Sequence, residues 1–243
     1  MVVDGHCHIG HGVEKQQTVD ELLREMDRWG VDRAVICPVE EQIILHNREG
    51  NQLMLDAVQA HPDRFVGFAV ANPWYGAQAV EELRWAVGQG LRGLKLDPAR
   101  QGFFLSAEMV YPLIEAATDL GIPVYCHTAT PIYALPMQLR WLSLDFPETV
   151  FIMGHGAFPD YWFDVLPTVQ GRPNIYIETS LRASTAPLTQ AAHDLGADHL
   201  IFGSNSPTST IEVELAKVRS LGLSPADEAW VLGGTIEKLL GSW

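Results

Sequence analysis

The chain has 243 residues, 47% of them hydrophobic, enough to bury one large core in a single α/β domain spanning 1–243. Its formal net charge of −14 argues against nucleic acid as a partner, since an acidic surface repels phosphate backbones. No apolar run reaches bilayer length and no leader-like segment opens the chain, so no membrane partner is expected and the cytoplasm is the expected compartment.

The first element is Val2-Val3-Asp4-Gly5-His6-Cys7-His8-Ile9, whose β-branched opening reads as a buried strand. Strand alternation predicts Asp4, His6 and His8 on one face, with Val3, Gly5 and Cys7 on the other. Two imidazoles at a strand end can share one metal ion, or they can be two core or surface histidines spaced by two. The pattern alone does not choose. Thr18-Val19-Asp20-Glu21 then reads as a capping box, with Val19, Leu22, Leu23 and Met26 at helical spacing. Strands follow over 33–39, 65–71, 91–96, 122–127, 149–153, 174–179 and 199–202. Between and after them run helices over 51–61, 79–88, 106–120, 135–146, 161–169, 187–195, 211–221 and 226–240.

Gly30, Gly90, Gly121 and Gly196 each follow a helix and precede an apolar residue, which predicts left-handed glycine stops. The strands are almost continuously apolar, as in a parallel sheet covered on both faces. Eight βα units in this length predict a (β/α)8 TIM barrel. The competitor, a doubly wound sheet, would carry Gly-x-Gly-x-x-Gly after its first strand, where His-x-His stands instead. The three cysteines, Cys7, Cys37 and Cys126, lie in strand-like runs without framework spacing, which predicts free, buried thiols.

In such a barrel, function sits at the C-terminal ends of the strands. Those ends carry His6, His8, Lys95, Asp97, His127, His155, Glu178 and Asn205. Trp74, Phe104, Tyr133 and the run 158–162 follow strand ends, where aromatics either line a cleft for a planar substrate or pack on one another as lids. Arg100 and Arg182 are candidates for bidentate contact with a substrate carboxylate. Trp74, Tyr133 and Arg182 are the expected substrate-binding residues.

Five segments in order resemble the amidohydrolase superfamily, in its branch of small decarboxylases and hydrolases of the aminocarboxymuconate-semialdehyde decarboxylase type. They are Asp4-Gly5-His6-Cys7-His8, Gly93-Leu94-Lys95-Leu96-Asp97-Pro98, Pro123-Val124-Tyr125-Cys126-His127-Thr128, Gly154-His155-Gly156 and Phe202-Gly203-Ser204-Asn205-Ser206-Pro207. The resemblance implies one divalent ion, with zinc expected, on His6, His8 and His127, with Asn205 as a fourth ligand or base. It implies His155 as a proton donor beside the ion's open position.

Two departures stand out: Asn205 where the family usually has aspartate, and Asp97 where it often has histidine. Asparagine offers a carbonyl oxygen but accepts no proton at neutral pH, so hydrolysis through that base should suffer more than decarboxylation. His155 or Glu178 is the base that remains. Lys95 is expected to pair with Asp4 inside the barrel rather than to bridge two metals as a carboxylated lysine, because a buried charge needs a partner.

The expected protein is therefore a metal-dependent hydrolase or decarboxylase acting on a small organic acid, lactone or amide. Its alternatives are a metal-free lactonase of the same branch and an inactive barrel that binds a ligand or partner. A homodimer is admitted, but no residue specifies one.

Overall fold

The computed structural model describes residues 1–157, 161–181 and 185–241. Eight parallel strands form a barrel: β1 (Val3–His8), β2 (Arg33–Cys37), β3 (Phe65–Gly67 and Ala69–Val70), β4 (Leu94–Leu96), β5 (Val124–His127), β6 (Phe151–Gly154), β7 (Ile175–Glu178) and β8 (Leu200–Ile201). β3 is interrupted at Phe68, where it passes from pairing with β2 to pairing with β4. The seam between β1 and β8 is closed by Gly5 N–H to Phe202 O (2.7 Å), Asn205 N–H to His6 O (2.7 Å) and His8 N–H to Ser206 O (2.8 Å). The (β/α)8 expectation holds.

Two apolar layers support the barrel. Its interior is filled by Val3, Val35, Phe68, Tyr125, Ile152 and Ile201, among others. A larger layer lies between strands and helices, with Leu22 and Met26 of α1 (Val19–Trp29) and Leu113 and Ile114 of the helix Tyr111–Leu120. The predicted capping box at Thr18 and Glu21 is present. Gly30 and Gly121 end their helices in the left-handed conformation, at φ 70° and 64°. Gly90 and Gly196 also have positive φ, 124° and 98°, but lie outside that region. All three cysteines are free and buried. Among the described residues, no helix is long and apolar enough to cross a membrane.

β1 departs from simple alternation. Its register against β2 shifts between Asp4 and Cys7. Val3, expected on the face opposite the histidines, packs in the barrel interior instead, while Cys7 lies in the outer layer. The shift turns His6 and His8 inward at the top of a strand whose first residue also points inward.

Candidate active site

Four imidazoles meet at the C-terminal end of the barrel, and they divide into two halves. In the β1 half, the His6 and His8 rings lie 4.8 Å apart in an edge arrangement. His8 Nδ1 donates to Pro38 O (2.8 Å), which leaves a lone pair on Nε2. Lys15 Nζ donates to that lone pair at 3.2 Å. His6 repeats the pattern, with Nδ1 facing Cys37 Sγ (3.8 Å) and Nε2 accepting from Lys95 Nζ (3.1 Å). Lys95 also stands over the Tyr125 ring, 4.4 Å from its centre, and His6 stacks on that same ring. Burial, and then the neighbouring positive charges, hold both imidazoles well below the usual histidine range, so they are neutral acceptors.

Lys15 is brought in by a small hairpin in which Gly10–His11 pairs with Gln16–Gln17. Gln17 fixes that hairpin over the β1/β8 seam: its Nε2 donates to His8 O (2.9 Å) and its Oε1 accepts from Ser206 Oγ (2.7 Å).

The expected pairing of Lys95 with Asp4 is not found. Asp4 turns to the opposite side of the seam, where its carboxylate accepts from Ser204 N (2.8 Å) and Ser204 Oγ (2.5 Å). The register shift in β1 separates it from the interior face that His6 and Lys95 share.

The second half is a chain of hydrogen bonds across β5, β6 and β7. Ser180 Oγ donates to Glu178 Oε2 (2.9 Å) and accepts from His155 Nδ1 (2.8 Å). His155 Nε2 then accepts from His127 Nδ1 (3.0 Å), and His127 Nε2 accepts from Thr130 Oγ1 (2.9 Å). Every donor in this arrangement finds an acceptor when Glu178 is ionised, and a protonated Glu178 reverses the chain and both ring tautomers together. Glu178 is further held by Tyr125 Oη (2.8 Å), His155 N (3.0 Å) and Ser180 N (2.5 Å). Burial raises its carboxyl above the ordinary glutamate value despite those donors, so it can hold a proton. Burial lowers His127 to about 4 and holds His155 well below the usual range.

Local sequence explains this geometry. A Cβ at Gly154 would lie 2.5 Å from Tyr125 Oη, so only glycine lets the tyrosine reach Glu178. His155 and Asn205 adopt positive φ, 64° and 50°, at the turns leaving β6 and following β8. Such strain in non-glycine residues is found where a site requires it. Behind Ser180, the Glu214–Lys217 pair braces the loop: Leu181 N donates to Glu214, and Lys217 Nζ donates to Thr179 O (2.8 Å).

The ligand set expected for a divalent ion is not assembled. Imidazole nitrogens and an amide oxygen are suitable donors in kind, and Asn205 Oδ1 is buried with no hydrogen-bond partner. But the free lone pairs of His6 and His8 are taken by lysine ammoniums, and both nitrogens of His127 are committed to the relay. Among the described residues, no group of three His, Cys, Asp or Glu side chains is placed to hold one ion. The residues as arranged do not fit a metal on His6, His8, His127 and Asn205.

The other expected residues are scattered. Trp74 is 62% exposed and donates Nε1 to Gln101 O (3.0 Å). Tyr133 stacks on Phe104 at 5.5 Å. Arg182, like 158–160, lies outside the described residues. Arg100 is paired with Glu14 (2.5 Å) and Asp97 (3.5 Å), so it is not free for a carboxylate. Lys15, Thr130 and Ser180 went unmarked in the sequence. Their signal is position in the turns after β1, β5 and β7, on the face where barrel sites lie. A cavity of about 660 Å³, lined by Met1, Asp32, Arg33 and Arg64, lies at the opposite end of the strands.

This architecture has known counterparts. The chain is 22% identical over 282 residues to gamma-resorcylate decarboxylase of Polaromonas sp. (strain JS666 / ATCC BAA-500), covering 90% of this chain and 86% of that protein. The crystal structure of a dihydroxybenzoic acid decarboxylase from Polaromonas sp. JS666, with bound manganese and the inhibitor 2-nitroresorcinol, superposes with a TM-score of 0.79. The identity is 18%, over 98% of this chain and 96% of that one. A TIM-barrel protein from Bordetella bronchiseptica gives a TM-score of 0.77 at 23% identity, over 92% and 82% of the two chains. The family model described as Amidohydrolase matches residues 3–242, and the chain belongs to that family of enzymes.

Proposed function

We propose that the protein is a non-oxidative decarboxylase of a small, planar carboxylic acid, with the histidine relay supplying the proton. The observation that carries this reading is the unbroken path from Glu178 through Ser180 and His155 to His127. Decarboxylation of an arene carboxylate breaks the carbon–carboxyl bond, leaves its electron pair on the ring and releases CO2, so the ring carbon must receive a proton. With its carboxyl protonated, Glu178 donates to Ser180 Oγ, Ser180 Oγ to His155 Nδ1 and His155 Nε2 to His127 Nδ1. His127 Nε2–H then gives its proton to the ring carbon and is refilled along the path from the carboxyl without admitting bulk water. His127 is the only one of the four imidazoles that is not fully buried, so it is the group that meets substrate, with His155 behind it. Asn205 offers no base for a hydrolytic water, which weighs against ester or amide cleavage. The decarboxylase names of the relatives support the same reaction class. The manganese of one relative is not carried over, because the Nε2 lone pairs of His6 and His8 in this chain are already occupied.

The test is turnover of a panel of hydroxybenzoates, lactones and anilides in D2O. Release of CO2 with one deuterium at the vacated ring carbon is the expected result. Turnover of lactones alone would point to the hydrolytic alternative, and no turnover with tight ligand binding to an inactive barrel.

A further inference from the structure

We propose that Lys15 and Lys95 form the receptor for the substrate carboxylate, standing where a divalent ion would otherwise take the lone pairs of His8 and His6. The inference rests on the decarboxylase reading for the kind of acid bound, and on geometry for the rest. Lys95 is 1% exposed, and its partners among the described residues are a neutral imidazole and the face of Tyr125. Lys15 likewise reaches a neutral imidazole. Among the described residues, neither ammonium has a carboxylate within ion-pair distance. Asp97 and Glu40 act on Lys15, and Asp97 and Glu178 on Lys95, only at longer range; Asp97 is committed to Arg100, and Glu178 to Tyr125 and Ser180.

A buried cation without a counter-ion is costly, which makes an anionic ligand the missing component. Each ammonium has three donors and spends one on its imidazole, leaving others for the two oxygens of a carboxylate. The imidazoles, both carried on β1, fix the ammoniums by accepting hydrogen bonds from them and keep them from turning away. The same contacts occupy the lone pairs that a metal would need. The substrate carboxylate is thus held by ammonium groups in the β1 half, with the proton relay in the other half.

The experiment is calorimetric binding of 2,6-dihydroxybenzoate and of acetate to the full chain, before and after chelator treatment, with metal content measured on the same samples. Lys15→Met and Lys95→Met are compared with wild type, and far-UV circular dichroism checks each fold. The expected result is unchanged affinity after chelation and a loss of ~10-fold or more in each variant, the usual range for one charge-assisted hydrogen bond. The double variant, which frees both Nε2 lone pairs, should take up Zn2+ in equilibrium dialysis where wild type does not. If Lys95→Met fails to fold, Lys15→Met, on a surface hairpin, still decides. Binding that is abolished by chelation and restored by Mn2+ or Zn2+ would overturn the proposal, as would lysine variants that bind like wild type, or wild type that binds neither probe. Binding of acetate but not dihydroxybenzoate keeps the receptor and overturns the aromatic-acid reading instead.

Discussion

The two halves of the site use the same side chain for opposite purposes. In the β1 half, His6 and His8 each accept from a lysine ammonium, and the other nitrogen faces a thiol or a backbone carbonyl that passes no proton on. In the β5–β7 half, His127 and His155 are links, bonded to each other and to hydroxyls that both donate and accept, and the chain ends on a buried carboxyl. What separates them is the second partner of each ring. A backbone carbonyl or thiol beside Nδ1 leaves an imidazole as an endpoint, whereas a hydroxyl or another imidazole makes it a conductor. One half holds charge and the other moves it.

The sharpest way to break this contrast is His155→Gln. It interrupts the relay while leaving the lysine half intact, so kcat should fall ~10²–10⁴-fold, the range for a positioned acid or base, with substrate affinity within about twofold. Equal losses in kcat and in binding would mean that the halves are not separate.

Next in size is the pH dependence of stability from Asp4. Burial raises its carboxyl from 3.8 to about 7, against the opposing bonds from Ser204. A folded value above the unfolded one contributes stability that is complete below pH 3.8 and lost as pH rises through about 7. Wild type should therefore lose Tm between pH 5 and 8 relative to Asp4→Asn, by a difference of up to a few kcal/mol. Parallel Tm profiles for the two proteins would show that Asp4 does not titrate in this window.

Tyr125→Phe sharpens the comparison, because Tyr125 touches both halves through its ring and its hydroxyl. It should cost ~1–3 kcal/mol in denaturant unfolding, the penalty for leaving a buried acceptor short of one donor. Carboxylate affinity should hold, since the aromatic face beside Lys95 remains. Ser180→Ala gives the smallest effect, about tenfold in kcat or less, because His155 Nδ1 already lies 3.5 Å from Glu178 and can approach it directly. A loss matching His155→Gln would make the hydroxyl indispensable.

The barrel was legible because its signals are local: apolar runs of strand length, helices closed by Gly30 and Gly121, and a capping box at Thr18. The histidines were legible for a related reason, since strand ends in this fold face one mouth. Partnership was not. Asp4 was expected beside Lys95, but a register shift within β1 sends it to Ser204, and alternation counts cannot show where a strand slips. Lys15 was invisible because a hairpin whose strands are two residues each, folded over the seam, carries no periodicity. The arrangement of the expected metal residues was hidden at the same level. Spacing placed His6, His8 and His127 at the right end of the barrel, but it could not show that their lone pairs were taken.

The seam has a consequence for assembly. Asp4 and Ser204 are 200 positions apart, and the strand that carries His6 lies between β8 and β2. Contacts of such separation carry a large loop-closure entropy and are expected late in folding. Asn205 N–H reaches His6 O, and Gln17 reaches Ser206, only after that ring is joined. A partly folded chain could build the relay on β5, β6 and β7 but would lack a finished β1 mouth. Recovery of ligand binding after dilution from denaturant should therefore lag the return of secondary structure, making the active molecule its own report that the circle has closed.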